Sequence, residues 1–124
     1  MQEGTSRSNQ AFYLARNGLQ NISIIAAETE GAASLAVSVK AGKITELPAI
    51  TSIATSLGAR KVRQRAFEIT QTLPVDCVVV DDQAAVNACM RFLDDHCVVV
   101  EPACGAAWPS HMHMPIDWRV MSES

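Results

Sequence analysis

Apolar and polar positions along this chain switch between helix-like and strand-like spacing. Residues 11–17, AFYLARN, read as the end of a helix stopped by Gly18. Residues 22–28, ISIIAAE, are a short apolar run closed by an acid, the pattern of a strand covered on both faces in a parallel sheet. Gly31 permits a tight turn, and Ala33, Leu35, Ala36, Val37 and Val39 then fit a helix over residues 33–41, closed by Gly42. Residues 45–57 follow neither period. Pro48 interrupts them and Ser52, Thr55 and Ser56 recur, so a loop followed by a short helix is expected, the kind of segment that often carries function.

A second helix is predicted over residues 59–72, with Val62, Ala66, Phe67 and Ile69 along one side and Pro74 beyond its end. Residues 76–80 repeat the buried-strand pattern. Asp81 and Asp82 supply an N-cap and a first-turn charge for a helix running to about Asp95, with Val86, Cys89, Met90 and Leu93 at core spacing. Residues 97–100 read as a third buried strand, and Pro102 suits the first turn of a further helix. Strands alternating with helices over long crossovers predict an α/β fold on a parallel sheet, with helices on both faces. Three strands make a small sheet, which suggests a piece of a larger domain.

Composition changes this picture little and narrows the function. At 124 residues the chain can form one domain, and with only 5% aromatic residues its core must be aliphatic. A net charge of −3 gives no global attraction to nucleic acid or to an anionic membrane. No apolar run approaches the ~18 residues of a membrane span, and the polar start MQEGTSRSNQ lacks a secretory pattern. Arg60, Lys61, Arg63 and Arg65 cluster, but without aromatic context they read as a solvated helix face. Cys77, Cys89, Cys97 and Cys104 contain no CxxC pair and read as reduced, mostly buried thiols of a cytoplasmic protein. His111 and His113, with Cys104, offer too few ligands for structural zinc.

Several unusual segments follow one another in order: AETEGAASL from Ala27, KAGK from Lys40, LPAITSIATSLGA from Leu47, VDDQAAV from Val80, FLDD from Phe92 and VEPACGAA from Val100. Together they resemble the C-terminal part of the catalytic domain of pyridoxal-phosphate-dependent L-serine/L-threonine dehydratases, over residues 14–107. The resemblance implies part of a three-layer, parallel-sheet α/β domain of the fold type II, tryptophan synthase β-like enzymes. Residues 1–13 would be a disordered or divergent N-terminus and 108–124 a divergent tail, the latter carrying two prolines and no helical stripe. The implied reaction is β-elimination from L-serine or L-threonine, giving pyruvate or 2-oxobutanoate and ammonia, with pyridoxal 5'-phosphate as the electron sink. Family members are commonly homodimers.

The resemblance also implies an omission. The family's Schiff-base lysine and its glycine-rich phosphate loop lie in the other half of the domain. Lys40, Lys43 and Lys61 do not occupy that serine-flanked position, and no cofactor-binding residue is assigned in this chain. Alone, the chain is expected to be incomplete and inactive. The alternative is a non-catalytic truncated paralogue that pairs with a full-length dehydratase.

One site is carried over. The resemblance places oxygen ligands of a monovalent cation, usually potassium, at Glu28, Ala32, Ser34, Leu57 and Ala59, and sets Ser56 in the loop that faces the cofactor. Such a cation wants several oxygens, mostly carbonyls, and one carboxylate. Taken from the residues alone, Glu28 is a solvated acid at a strand end and Ser56 a serine satisfying loop backbone.

Overall fold

Two apolar runs rich in β-branched residues form the sheet. Ile24–Thr29 (β1) and Val75–Val80 (β2) pair in parallel, Ile24 opposite Val75 and Thr29 opposite Val80. The structure is a computed structural model that describes Tyr13, Asn17, Gly18 and residues 24–112. A parallel pair needs a long crossover. Here it holds helix α1 (Ser34–Ala41), a 3-10 turn (Thr55–Leu57) and helix α2 (Gln64–Thr72). Helices α3 (Asp82–His96) and α4 (Pro102–Met112) follow β2. Among the described residues no helix is long and apolar enough to cross a membrane.

Local chemistry explains most of the boundaries. α1 stops at Gly42, whose φ of 69° lets its N–H reach the Ser38 and Val39 carbonyls. α3 starts on Asp81, whose carboxylate accepts the Ala84 N–H at 2.6 Å. α2 ends where Leu73 turns extended ahead of Pro74. Gly18 also takes a positive φ, 81°; most of the helix expected over residues 11–17 lies outside the described residues.

The core sits where α3 packs on α4 and α4 lies against both strands. Ala85, Ala88, Ala103 and Ala106 are buried there. Small residues bring the two helices close. A Cβ at Gly105 would run into the Ala85 carbonyl oxygen and lie 2.6 Å from Cys89 Sγ.

Several expectations are corrected. Residues 97–100 form no strand. Cys97 is the C-cap of α3 with a left-handed φ of 54°, and Val98 and Val99 beyond it are 50% and 82% exposed. The sheet of the described residues consists of β1 and β2, and this segment pairs with neither. Cover is incomplete too: Asp76 and Val79 of β2 are exposed. α2 begins at Gln64 rather than at residue 59, because Lys61 forms an antiparallel bridge with Glu46 and holds the preceding backbone extended. The buried stripe of α3 runs through Ala85 and Ala88, whereas Met90 is 54% exposed. Cys97 and Cys104 are exposed and Cys77 and Cys89 half-buried, so the thiols are less buried than expected. α4 carries helix on through residues 108–112, inside the segment expected to diverge. The N-terminal segment before Tyr13, the tail beyond Met112 and His113 lie outside the described residues.

Candidate functional site

A cavity of about 1170 Å³ opens beside β1. Its walls include Ile24, Ala26 and Glu28 of the strand, Ser34 at the start of α1, Thr55 to Ala59 of the loop, and Cys104 and Trp108 of α4. Pockets for small ligands usually hold ~300–1,000 Å³, so this one exceeds a closed ligand site. Of the cation ligands expected from the resemblance, Glu28, Ser34, Leu57 and Ala59 share this wall, as does Ser56. Ala32 does not line it. That residue is fully buried, and its N–H donates to the Thr29 carbonyl at 2.9 Å.

Glu28 is neither free nor merely solvated. Its Oε1 accepts the Leu35 N–H at 3.0 Å and its Oε2 the Ala36 N–H at 2.8 Å. These amides belong to the first turn of α1, where a capping side chain normally acts. The local N-cap is Ala33, which cannot cap, so a carboxylate five residues earlier does it. Burial pushes the Glu28 carboxyl above its ordinary range, and the Leu35 and Ala36 amides pull against that rise. Each carboxylate oxygen accepts one of these bonds and keeps further acceptor capacity toward the cavity.

The other members are shaped by the backbone. Ser34 is buried, and its carbonyl accepts the Ser38 hydroxyl at 2.7 Å. The 3-10 turn hands over to Gly58, where the Ala59 N–H donates to the Leu57 carbonyl at 2.8 Å. A Cβ at Gly58 would stand 2.7 Å from the Thr55 carbonyl, so the turn is tight there. Ser56 is exposed at the cavity. No cluster of three or more His, Cys, Asp or Glu side chains occurs among the described residues.

The thiols and lysines add little chemistry. Burial, helped by Glu28 and Asp76, pushes the Cys77 thiol up, which keeps it protonated and unreactive. Lys61 lines the cavity but is exposed and tied into the bridge with Glu46. Lys40 and Lys43 are exposed and do not line it. The chain offers neither a buried lysine nor a run of glycine amides at this cavity, so its described residues do not fit the role of cofactor anchor.

Pattern reading missed a polar junction behind the site. Ser52 lies between Thr29 and Asp82, with Oγ contacts of 2.7 Å and 2.6 Å respectively. The Asp81-Asp82 doublet was legible as a helix start, but nothing local separates the roles of the two acids.

Comparison with known proteins gives a consistent result. The family profile described as pyridoxal-phosphate dependent enzyme matches residues 4–111. A serine dehydratase-like protein of Mus musculus is 45% identical over 106 residues, 86% of this chain and 32% of that protein. An L-serine dehydratase/L-threonine deaminase of Bos taurus is 46% identical over 94 residues, 76% of this chain and 29% of that protein. Among solved structures, a fungal L-serine ammonia-lyase from Rhizomucor miehei superposes with a TM-score of 0.79 at 26% identity, covering 92% of this chain and 36% of that one. Maize serine racemase superposes with a TM-score of 0.72 at 36% identity, covering 83% and 32%. The chain thus spans about a third or less of the length of the curated relatives it matches.

Proposed function

The chain belongs to the family of pyridoxal-phosphate-dependent enzymes, with the α/β, parallel-sheet fold of its fold type II members, and from that premise we propose that it forms part of an L-serine/L-threonine ammonia-lyase. The observation that carries the proposal is the shared cavity wall. Residues about thirty positions apart, Glu28 with Ser34 and Ser56 with Leu57 and Ala59, meet at one opening within the segment that matches the dehydratases.

When bound in the intact enzyme, pyridoxal phosphate would supply the electron sink for loss of the α-proton and the β-hydroxyl. This chain's residues would do the supporting work. The apolar face of β1 excludes water from one side of the pocket. Glu28 holds α1 in place and offers its remaining lone pairs to a monovalent cation, joined by the backbone oxygens of Ser34, Leu57 and Ala59, the members of the expected set that line the cavity. That cation fixes the loop that presents Ser56. Anchoring of the cofactor falls to residues outside the chain, so the purified 124-residue chain is expected to release no pyruvate from L-serine.

An antibody raised against residues 60–95 tests the assignment in the source tissue. The precipitated protein should form pyruvate from L-serine or 2-oxobutanoate from L-threonine, and activity with neither overturns it. The cation reading has its own test. Potassium at tenfold excess over its Kd should stabilise the folded chain by about 1.4 kcal/mol. Against choline chloride that raises Tm by about 4–8 °C; equal melting in both salts removes the cation site.

A second reading, a non-catalytic chain that pairs with a full-length dehydratase, is favoured by the exposed Val98 and Val99. Tagged chain that brings down no dehydratase subunit would exclude it.

A further inference from the structure

The loop between α1 and α2 is fastened at its ends and at its middle. At the ends, the Leu47 N–H donates to the Arg60 carbonyl at 2.7 Å, and Arg60 Nε donates to the Leu47 carbonyl at 3.0 Å. The Arg60 guanidinium also meets Glu46 Oε1 at 3.1 Å. Closed ends make the segment a compact Ω-type loop. In the middle, the Thr51 N–H donates to the Gly31 carbonyl at 3.1 Å. Gly31 has φ 84°, and a Cβ there would run into the Thr51 hydroxyl, so this approach requires glycine.

Ser52, 6% exposed, is the pivot. Its hydroxyl donates to Asp82 Oδ1 at 2.6 Å and accepts the Ala54 N–H at 3.1 Å. A hydroxyl has one proton to give, so the buried 2.7 Å contact with Thr29 must run from Thr29 to Ser52. Asp82 Oδ2 also accepts the Ile53 N–H at 3.1 Å. Asp81 next to it is occupied with the α3 cap. The end of β1, the loop and the start of α3 therefore meet at one saturated, charge-assisted network. Thr29 adjoins Glu28, and Ser52 precedes the turn that carries Ser56 and Leu57. The Thr29–Ser52 contact therefore fixes how the two walls of the cavity face each other.

We propose that Asp82 and Ser52 are positioning residues: they lock the loop onto β1 and α3, and so set Glu28 against the Leu57–Ala59 carbonyls. The functional half rests on the cation reading above; the mechanical half does not.

Hydrogen–deuterium exchange on the full chain in choline chloride tests the mechanical half. Amides 53–59 should lose protection by about tenfold or more in Asp82→Ala and Ser52→Ala, the scale of one charge-assisted hydrogen bond. Thr29→Ser, which keeps the hydroxyl, and Asp81→Ala, which removes only the neighbouring cap, should leave them within about twofold. Equal loss in Asp81→Ala and Asp82→Ala would overturn the proposal. Should Asp82→Ala not fold, Ser52→Ala removes the pivot while leaving the Asp82 carboxylate in place, and unchanged protection at Ile53 and Ala54 in it would overturn the proposal equally. The functional half is read from the potassium midpoint of stabilisation. A rise of about tenfold in Asp82→Ala supports it. An unchanged midpoint, in a wild type that does respond, refutes it. A wild type without any potassium response condemns the cation reading while the exchange data still judge the lock.

Discussion

Cys97 shows how one backbone angle redirects a segment. Its φ of 54° costs a side-chain-bearing residue about 1 kcal/mol, which glycine would not incur. Cys97→Gly should therefore stabilise the chain by about 0.5–1 kcal/mol in urea unfolding. The other cysteines differ in chemistry. Exposed Cys97 and Cys104 should be alkylated by iodoacetamide well before Cys77, whose thiol is pushed up by burial and by Glu28. Glu28 adds a pH signature. Its folded pKa lies above the unfolded one, so its contribution to stability is complete below the ordinary carboxylate range and is lost as pH rises through the folded value. Glu28→Gln should flatten that part of the pH–stability curve, measured without potassium, and an unchanged slope would show that the carboxyl is not the source. Capping by Asp81 and the stop at Gly42 were legible because their partners lie within a few residues. The capping role of Glu28 was not, because its amides stand seven and eight residues on, and Ser52 meets Asp82 thirty residues away.

Elements with strong local punctuation were legible: α1 closed by glycine, β2 between Pro74 and Asp81, α3 on its cap and α4 opening on Pro102. Failures came where tertiary contacts decide. The Glu46–Lys61 bridge delays α2, and three consecutive valines read as a strand although they pair with neither strand of the described sheet. The α3–α4 contact is another tertiary feature. Gly105→Ala gains about 1 kcal/mol of helix propensity, yet the added methyl meets the Ala85 carbonyl and Cys89 Sγ. A net loss of about 1–2 kcal/mol is expected in urea unfolding. A stabilised variant would mean the two helices can part without penalty.

At the scale of the molecule, the family and the α/β class were legible because ordered motifs survive in one segment, whereas the open cavity and the bare valines were not, since cover depends on what lies alongside. The crossover has one more consequence, in time rather than in space. Every rung of the sheet joins positions about 50 residues apart, so the chain must close that span, at about 3.5 kcal/mol of loop entropy, before any rung is rewarded. The α3–α4 hairpin asks for no such closure. Pulse-labelled refolding should therefore protect the amides of residues 86–96 ahead of those in Ile24–Thr29, and the sheet, the backbone of the fold, should be the last part to arrive.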